Sequence, residues 1–388
     1  MKIFMVRWKS ICEGQMLRAM KALGVSVYEW TYPGDDADYS KEALDQLSYE
    51  LVKDKFDYIF SVDYFPLVAR VAPVAKIPYI SWSVDCPVLQ YYSKTLSLPY
   101  NRIFLFDYSM YQEFLPVNPD NIFYLPLAVD QPHYDEVIAT INEDDRRRFS
   151  ADVSFVGSLY TEKCAYDKIT GLNDYARGYA EGLIEAQLKV YGYNFLGETI
   201  KDEFAHEFMK ATGSANINED YDIDPKVAIS QMYLGEKVTS LERVRLLKYL
   251  SERFKVDLYT MSDCSMMPKI NYKGKAESYV EMPKIFNLSK ININPTSKTI
   301  RTGLPQRAWD ILAAGGFMLT NYQEELPEFF APGVEVETYG SFEECADKIA
   351  YYLEHEDERA AIAKAGHDKA KELHNYMVRF SQMFEMLK

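Results

Sequence analysis

The segment Ile300–Asn321, IRTGLPQRAWDILAAGGFMLTN, decides how the chain folds. Its spacing predicts an apolar helix that runs into the pair Gly315–Gly316 and then into a short strand. A helix feeding an apolar strand is half of a βαβ unit, the building block of a parallel sheet covered by helices. Arg307 and Asp310 interrupt that helix. At 3.6 residues per turn Gly303, Arg307, Asp310 and Ala314 share one stripe, while Leu304, Ala308, Ile311 and Leu312 lie on other faces. Small residues beside a charged stripe let a ligand approach the backbone. A helix start at Thr302, Gly303 and Pro305 with Arg307 one turn in suits a diphosphate, and Asp310 suits sugar hydroxyls. An internal Arg–Asp ion pair on a solvated face is the competing reading, and these residues alone leave both open.

Outward from this segment the same alternation recurs. KIFMVRW, VSVYEW, DYIFSVD, PYISWSVD, RIFLFD and IFYLPLAVD read as strands separated by helices, a Rossmann-like, doubly wound domain over about residues 1–145. Asp63, Asp85 and Asp107 close three of these strands, at the carboxyl edge where such sheets bind ligands. The charged stretch NEDDRRRFSAD reads as a linker. A second α/β domain over 146–370 then runs through VSFVGSLY, FKVDLYT, KINYKG, KININP, GFMLTN and VEVETY. It is interrupted by a helical insertion at about 161–251. A final helix, 371–388, is placed to cross back to the first domain.

With 388 residues, 48% hydrophobic and 14% aromatic, the chain has material for two packed cores. A net charge of −15 opposes a nucleic-acid partner and charge-driven membrane attachment. Five scattered cysteines without a C-x-x-C predict neither a zinc site nor a disulfide framework. No stretch reads as a signal peptide or an integral membrane segment, so a cytoplasmic protein is expected. Homo-oligomer formation is left open.

The C-terminal half, from INPTSKTIRTG through DKIAYYL, resembles the nucleotide-sugar-binding half of GT-B glycosyltransferases. Within these it is most similar to the group that includes the spore maturation protein CgeB. The matching positions are Gly303, Arg307, Asp310, Gly315, Gly316 and the acidic loop Gln323–Glu325, with HNYMVRF (His374–Phe380) as a C-terminal signature. The resemblance implies two Rossmann-like domains facing a cleft. It also implies a glycosyltransferase moving sugar from a nucleotide-diphosphate donor, UDP- or GDP-linked, to a hydroxyl of a surface, spore or flagellar glycan or a protein. No metal or other cofactor is implied. Thr302, Gly303, Arg307, Asp310 and Glu324 become donor-binding candidates.

Two departures qualify this. GT-B enzymes often carry Gly-Arg-Leu-x-x-x-Lys after the first strand of this domain. In VGSLYTEK, Gly157 and Lys163 match, but Ser158 replaces the arginine, throwing weight onto Arg307. Retaining members carry two Glu separated by seven residues; here Asp310 fits the second and Thr302 stands at the first. INYKGKAESY is similar to the loop flanking the nucleobase, which nominates Tyr272, Lys273 and Gly274. Asp36-Ala-Asp38 resembles a manganese-holding Asp-x-Asp but reads better as a solvated turn, and Glu219–Pro225 lacks the pattern of a calcium loop.

For a general base, Asp85 is preferred, since it ends a buried strand beside Trp82 where desolvation would raise its pKa. A helix N-cap for PVLQYYSKT is its bland alternative. Asp63 follows on the same argument, then His133, where the chain passes between domains. Competing functions are a nucleotide-sugar-binding module without turnover, a GT-B nucleotide-sugar epimerase and, disfavoured by the missing signal peptide, a periplasmic sugar receptor.

Overall fold

The computed structural model describes residues 1–34, 40–213 and 220–388. Asp36, Asp38 and Glu219, singled out in the sequence, lie outside the described residues. The chain separates into two compact units. One comprises Met1–Asp130, Asn218–Asp222 and His374–Lys388; the other comprises Gln131–Ile217 and Ile223–Leu373. The helix Gln131–Ala139, on the first side of the boundary read from the sequence, thus belongs to the second unit. The last helix, Tyr376–Met386, belongs to the first.

The first unit is built on a six-stranded sheet: β1 (Lys2–Arg7), β2 (Ser26–Thr31), β3 (Tyr58–Val62), β4 (Tyr79–Trp82), β5 (Asn101–Leu105) and β6 (Ile122–Tyr124). The order is β2-β1-β3-β4-β5-β6 and every pairing is parallel. Strands β3 to β5 are buried on both faces, which is why their sequences are continuous apolar runs. The second sheet holds β7 (Ala151–Val156), β8 (Val256–Tyr259), β9 (Asn271–Gly274), β10 (Ser289–Asn294), β11 (Met318–Asn321) and β12 (Glu337–Tyr339). Its order is β12-β11-β10-β7-β8-β9, again all parallel. All twelve strands read from the sequence are present, and the expected α/β, doubly wound class is the observed one.

The insertion between β7 and β8 is helical and has its own core. In its helix Asp174–Gln187, Ala176, Ala180 and Ile184 recur at one-turn spacing and are buried against Leu196, Phe204, Phe208 and Ile229. Among the described residues no helix is long and apolar enough to cross a membrane.

The glycine pair of the quoted segment has a specific task. Gly315 (φ 71°) ends the helix Gln306–Ala313 in the left-handed region; its amide bonds the Leu312 carbonyl, and that of Gly316 bonds Ile311. These are the two bonds of a Schellman cap. A Cβ on Gly316 would lie 2.6 Å from the Phe286 carbonyl oxygen and 2.7 Å from Asn292 Nδ2, so nothing larger fits where the chain enters β11. Gly316→Ala is expected to lower stability by about 1–3 kcal/mol through overpacking. Chemical denaturation of the intact protein measures this, and an unchanged midpoint would contradict the packing described.

Candidate functional site

In the second sheet the chain moves outward from β7 to β8 and β9, then returns to place β10 on the other side of β7. Ligands of doubly wound sheets bind at such a reversal, beyond the carboxyl ends of the two strands that flank it. Arg307 occupies this place. It lies in the first turn of the helix Gln306–Ala313 and is half-buried. Its Nε donates to Asn294 Oδ1 (2.7 Å), Nη2 to the Pro295 carbonyl (2.9 Å) and Nη1 to the Val156 carbonyl (3.2 Å). The guanidinium therefore ties the end of β7 to the end of β10, 4.8 Å above the Phe155 ring. Gly157 follows Val156 because the guanidinium takes the room of a side chain: a Cβ there would be 2.6 Å from Arg307 Nη1.

A second guanidinium stands beside it. Arg243, on the insertion's last helix Glu236–Ser251, is only 4% exposed. Its Nη2 donates to the same Pro295 carbonyl (3.0 Å) and its Nη1 to the Ser158 carbonyl (2.7 Å); it lies over the rings of Tyr160 (4.9 Å) and Phe155 (5.6 Å). Its buried Nε has no hydrogen-bond partner among the described residues. Ser158 spends its hydroxyl inside the loop, 2.9 Å from both the Tyr160 amide and Glu162 Oε1. Arg243 brings a cation to that loop from another element.

Among the described residues neither Arg243 nor Arg307 has a carboxylate within ion-pair distance. Burial and the adjacent Arg243 pull the Arg307 guanidinium down to about 9, and burial also lowers Arg243. Two like charges held together in a desolvated place, one in the first turn of a helix where the dipole already disfavours a cation, cost free energy. A bound anion reverses the sign of each of these terms. The second strand-end loop is fastened from the same helix: Thr239, one turn before Arg243, accepts from the Lys298 amide (2.9 Å) and contacts Ser297 Oγ (3.1 Å). Buried Lys298 lies 3.6 Å from Glu242 Oε2 and 4.2 Å from the centre of the Tyr191 ring.

The other sequence candidates divide. Lys163 is exposed beside Tyr160, in the loop that follows Gly157. Thr302 Oγ1 donates to Glu325 Oε1 (2.6 Å), and Gln323 Nε2 to the Gly303 carbonyl (3.1 Å), so loops 300–303 and 321–325 are joined. The buried carboxylate there is Glu325, whereas the predicted Glu324 is exposed. Tyr272 is exposed on the edge strand β9, Lys273 lies 3.6 Å from Asp257 Oδ2, and Gly274 (φ 80°) ends the strand. Asp310 does not accompany Arg307. It is 2% exposed, accepts from Gln306 Nε2 (3.0 Å) and has the Tyr134 hydroxyl beside it. The expected shared stripe is therefore split, and Gly303 precedes the helix instead of lying on it.

His133 has its Nε2 2.8 Å from the Tyr279 carbonyl oxygen. In the first unit Asp85 is exposed, three residues past the end of β4, and Val88, not Asp85, caps the short turn Leu89–Tyr92. The desolvation expected of Asp85 belongs to Asp63, which is buried one residue past β3. Asp107 caps the helix Tyr108–Phe114 through the Met110 amide (2.9 Å). Sequence reasoning missed Arg243 and Lys298, and within the acidic loop Gln323–Glu325 it singled out Glu324 and not Glu325.

Burial raises the Asp310 carboxyl to about 6, against the lowering effects of Gln306, Tyr134 and Arg307. The folded state then binds more protons than the unfolded one between about pH 4 and 6, so this group's effect is to lower stability as pH rises through that window. Above it the charged form costs on the order of 3 kcal/mol. Asp310→Asn is expected to flatten this part of the stability–pH curve and raise the unfolding midpoint near neutrality. Thermal denaturation across the window measures it; identical curves for the two proteins would contradict the assignment.

Comparison with known proteins fits this geometry. Residues 243–385 match a family model described as glycosyl transferase-like, and the match begins at Arg243. A protein of Aquifex aeolicus (strain VF5) described as uncharacterized is 30% identical over 82 residues, which is 21% of this chain and 20% of that protein. The match thus spans about a fifth of the curated relative's length. Among solved structures, a glycosyltransferase from Rickettsia africae superposes with a TM-score of 0.54 at 10% identity, covering 100% of this chain and 98% of that one. Anabaena Alr3699/HepE in complex with UDP and glucose gives 0.52 at 11% identity, over 100% and 99%. Sucrose-phosphate synthase from Thermosynechococcus elongatus gives 0.53 at 11%, over 100% and 98%. The chain has the GT-B fold.

Proposed function

We propose that the protein is a glycosyltransferase that takes a sugar from a nucleotide-diphosphate donor, UDP-linked in the first instance, and passes it to a hydroxyl acceptor. The observation that carries this reading is the pair Arg243 and Arg307, one buried and one half-buried guanidinium with no carboxylate within ion-pair distance among the described residues, at the reversal point of a parallel sheet. Planar guanidiniums match phosphate oxygens with paired hydrogen bonds. In sugar transfer, negative charge grows on the leaving diphosphate as its bond to the anomeric carbon breaks. Cations fixed in advance around that charge stabilise the transition state without reorganising. The exposed ammonium of Lys163 is a further donor for the same anion. Arg243 and Arg307 supply the positive charge for this step, so the reading routes no step through a metal ion.

The glycosyl transferase-like match over residues 243–385 and the UDP held by the Anabaena neighbour support the donor class. The membership of a CgeB-like group, and a glycan or protein as acceptor, follow from the resemblance of Gly303, Arg307, Asp310 and the C-terminal His374–Phe380 segment to that group.

Arg307→Ala and Arg243→Ala are each expected to weaken UDP binding about 10- to 100-fold, the range of a lost charge-assisted hydrogen bond. Arg307→Lys keeps the charge but not the fork, so it should fall between wild type and the alanine variant. Gly157→Ala, which pushes a methyl group into the guanidinium, should weaken UDP binding with Arg307 intact. Isothermal titration of each variant measures these effects, and affinities equal to wild type would move the diphosphate elsewhere.

A further inference from the structure

Lys298 lies in the loop that leads from β10 to the helix Gln306–Ala313, three residues past Pro295, and is only 6% exposed. The insertion holds it at both ends. Its amide donates to Thr239 Oγ1 (2.9 Å), and its carbonyl accepts from Asn194 Nδ2 (2.7 Å). Its ammonium donates to the Val190 carbonyl (3.4 Å), lies 3.6 Å from Glu242 Oε2 and stands 4.2 Å from the centre of the Tyr191 ring. Thr239 and Glu242 come from the helix Glu236–Ser251; Val190, Tyr191 and Asn194 come from the stretch after the helix Asp174–Gln187. All of these residues belong to the second unit.

For stability alone this arrangement is wasteful. An ammonium buried 3.6 Å from a buried carboxylate lacks the close geometry that offsets its desolvation, and an unbranched apolar side chain would fill the same space. What the ion pair fixes is a position. One helix grips the loop at three points: Arg243 at the Pro295 carbonyl (3.0 Å), Thr239 at the Lys298 amide and Glu242 at the Lys298 ammonium. Pro295 has no amide by which to be held. The next amide, that of Thr296, donates to Asn321 Oδ1 (2.7 Å) at the end of β11, on the sheet side of the loop. The insertion packs around an apolar core of its own. The register between Arg243, which the insertion carries, and Arg307, which follows β10, is therefore set where the last helix of the insertion meets the strand-end loops.

We propose that Lys298 is a positioning residue of the donor site: clasped by the insertion, it holds the Pro295 carbonyl where Arg243 and Arg307 both donate to it, and so fixes the spacing of the two guanidiniums for a diphosphate. The inference rests on the diphosphate-site reading for the ligand. Lys298 acts through the loop and needs no contact with the nucleotide. A bidentate match between guanidinium and phosphate depends on placement, so a loop free to shift weakens it while both arginines remain.

The test uses two variants of the full chain. Glu242→Gln combined with Lys298→Met replaces the ion pair by uncharged side chains and leaves neither charge orphaned, so a thermal midpoint close to wild type is expected. Thr239→Val removes the acceptor of the Lys298 amide and leaves the ammonium in place. Each protein is titrated with UDP and with uridine, which offers the guanidiniums no phosphate. The expected result for both variants is UDP affinity about 10-fold weaker, the scale of one charge-assisted hydrogen bond, with uridine affinity unchanged. UDP affinity equal to wild type in the double variant, or an equal loss for UDP and uridine, overturns the proposal. A loss in the double variant with none in Thr239→Val also overturns it, since the ammonium then acts on the nucleotide directly. A wild type that does not bind UDP overturns the diphosphate-site reading, and the role of Lys298 with it. A wild type that binds UDP keeps that reading standing whatever the variants do.

Discussion

The second unit is organised around a half-buried positive charge that has no carboxylate within ion-pair distance among the described residues. Arg307 joins the carboxyl ends of β7 and β10 through three acceptors, two of them main-chain carbonyls. Carbonyl and amide oxygens orient a guanidinium but do not neutralise it. Most of the nearby sequence follows from that constraint. Gly157 is glycine because Nη1 needs its space, Phe155 offers a ring face, and Asn294 is a buried polar residue at the end of β10. Arg243 doubles the charge at the shared Pro295 carbonyl. A fold selected for stability alone would gain by replacing either arginine with a packed apolar side chain. The proposed diphosphate site accounts for their presence.

The insertion between β7 and β8 takes part in this arrangement. Its last helix carries both Arg243 and Thr239, and so reaches the loop after β7 and the loop after β10 together. Its own apolar core keeps that helix rigid. In physical terms it supplies the cation that Ser158 does not.

Much of this was legible in the sequence, for definable reasons. The twelve strands show as apolar runs because a parallel sheet buries both of its faces. Arg307 stands out because it breaks an apolar helix beside small residues. Arg243 could not be picked out: in SLERVRLLKYL, Glu242, Arg243 and Arg245 look alike, yet Arg245 pairs with Glu185 at the surface while the other two are buried. Only the contacts of that helix with strands far away in the chain separate them. The same limit explains the reversal between the two aspartates. Ser61-Val62-Asp63 and Ser83-Val84-Asp85 are identical tripeptides. Because Val62 pairs with Trp82 in register, Asp63 comes one residue after its strand and Asp85 three after. That offset buries one carboxylate and exposes the other.

Asp310 shows how a motif read from the sequence can carry a different physical meaning. Its position on the helix is part of the resemblance read from the sequence, but its carboxylate is enclosed with Gln306 and Tyr134 and bears a desolvation cost. The charge in the quoted helix that is available to a ligand is that of Arg307. The most direct measurement of this account is a calorimetric titration of the intact protein with UDP, UMP and uridine at low and high salt. The account predicts that UDP binds most tightly, that affinity drops stepwise as phosphates are removed, and that salt weakens UDP most. Equal affinity for UDP and uridine, or no binding of UDP at low salt, would contradict a diphosphate site built on Arg243 and Arg307.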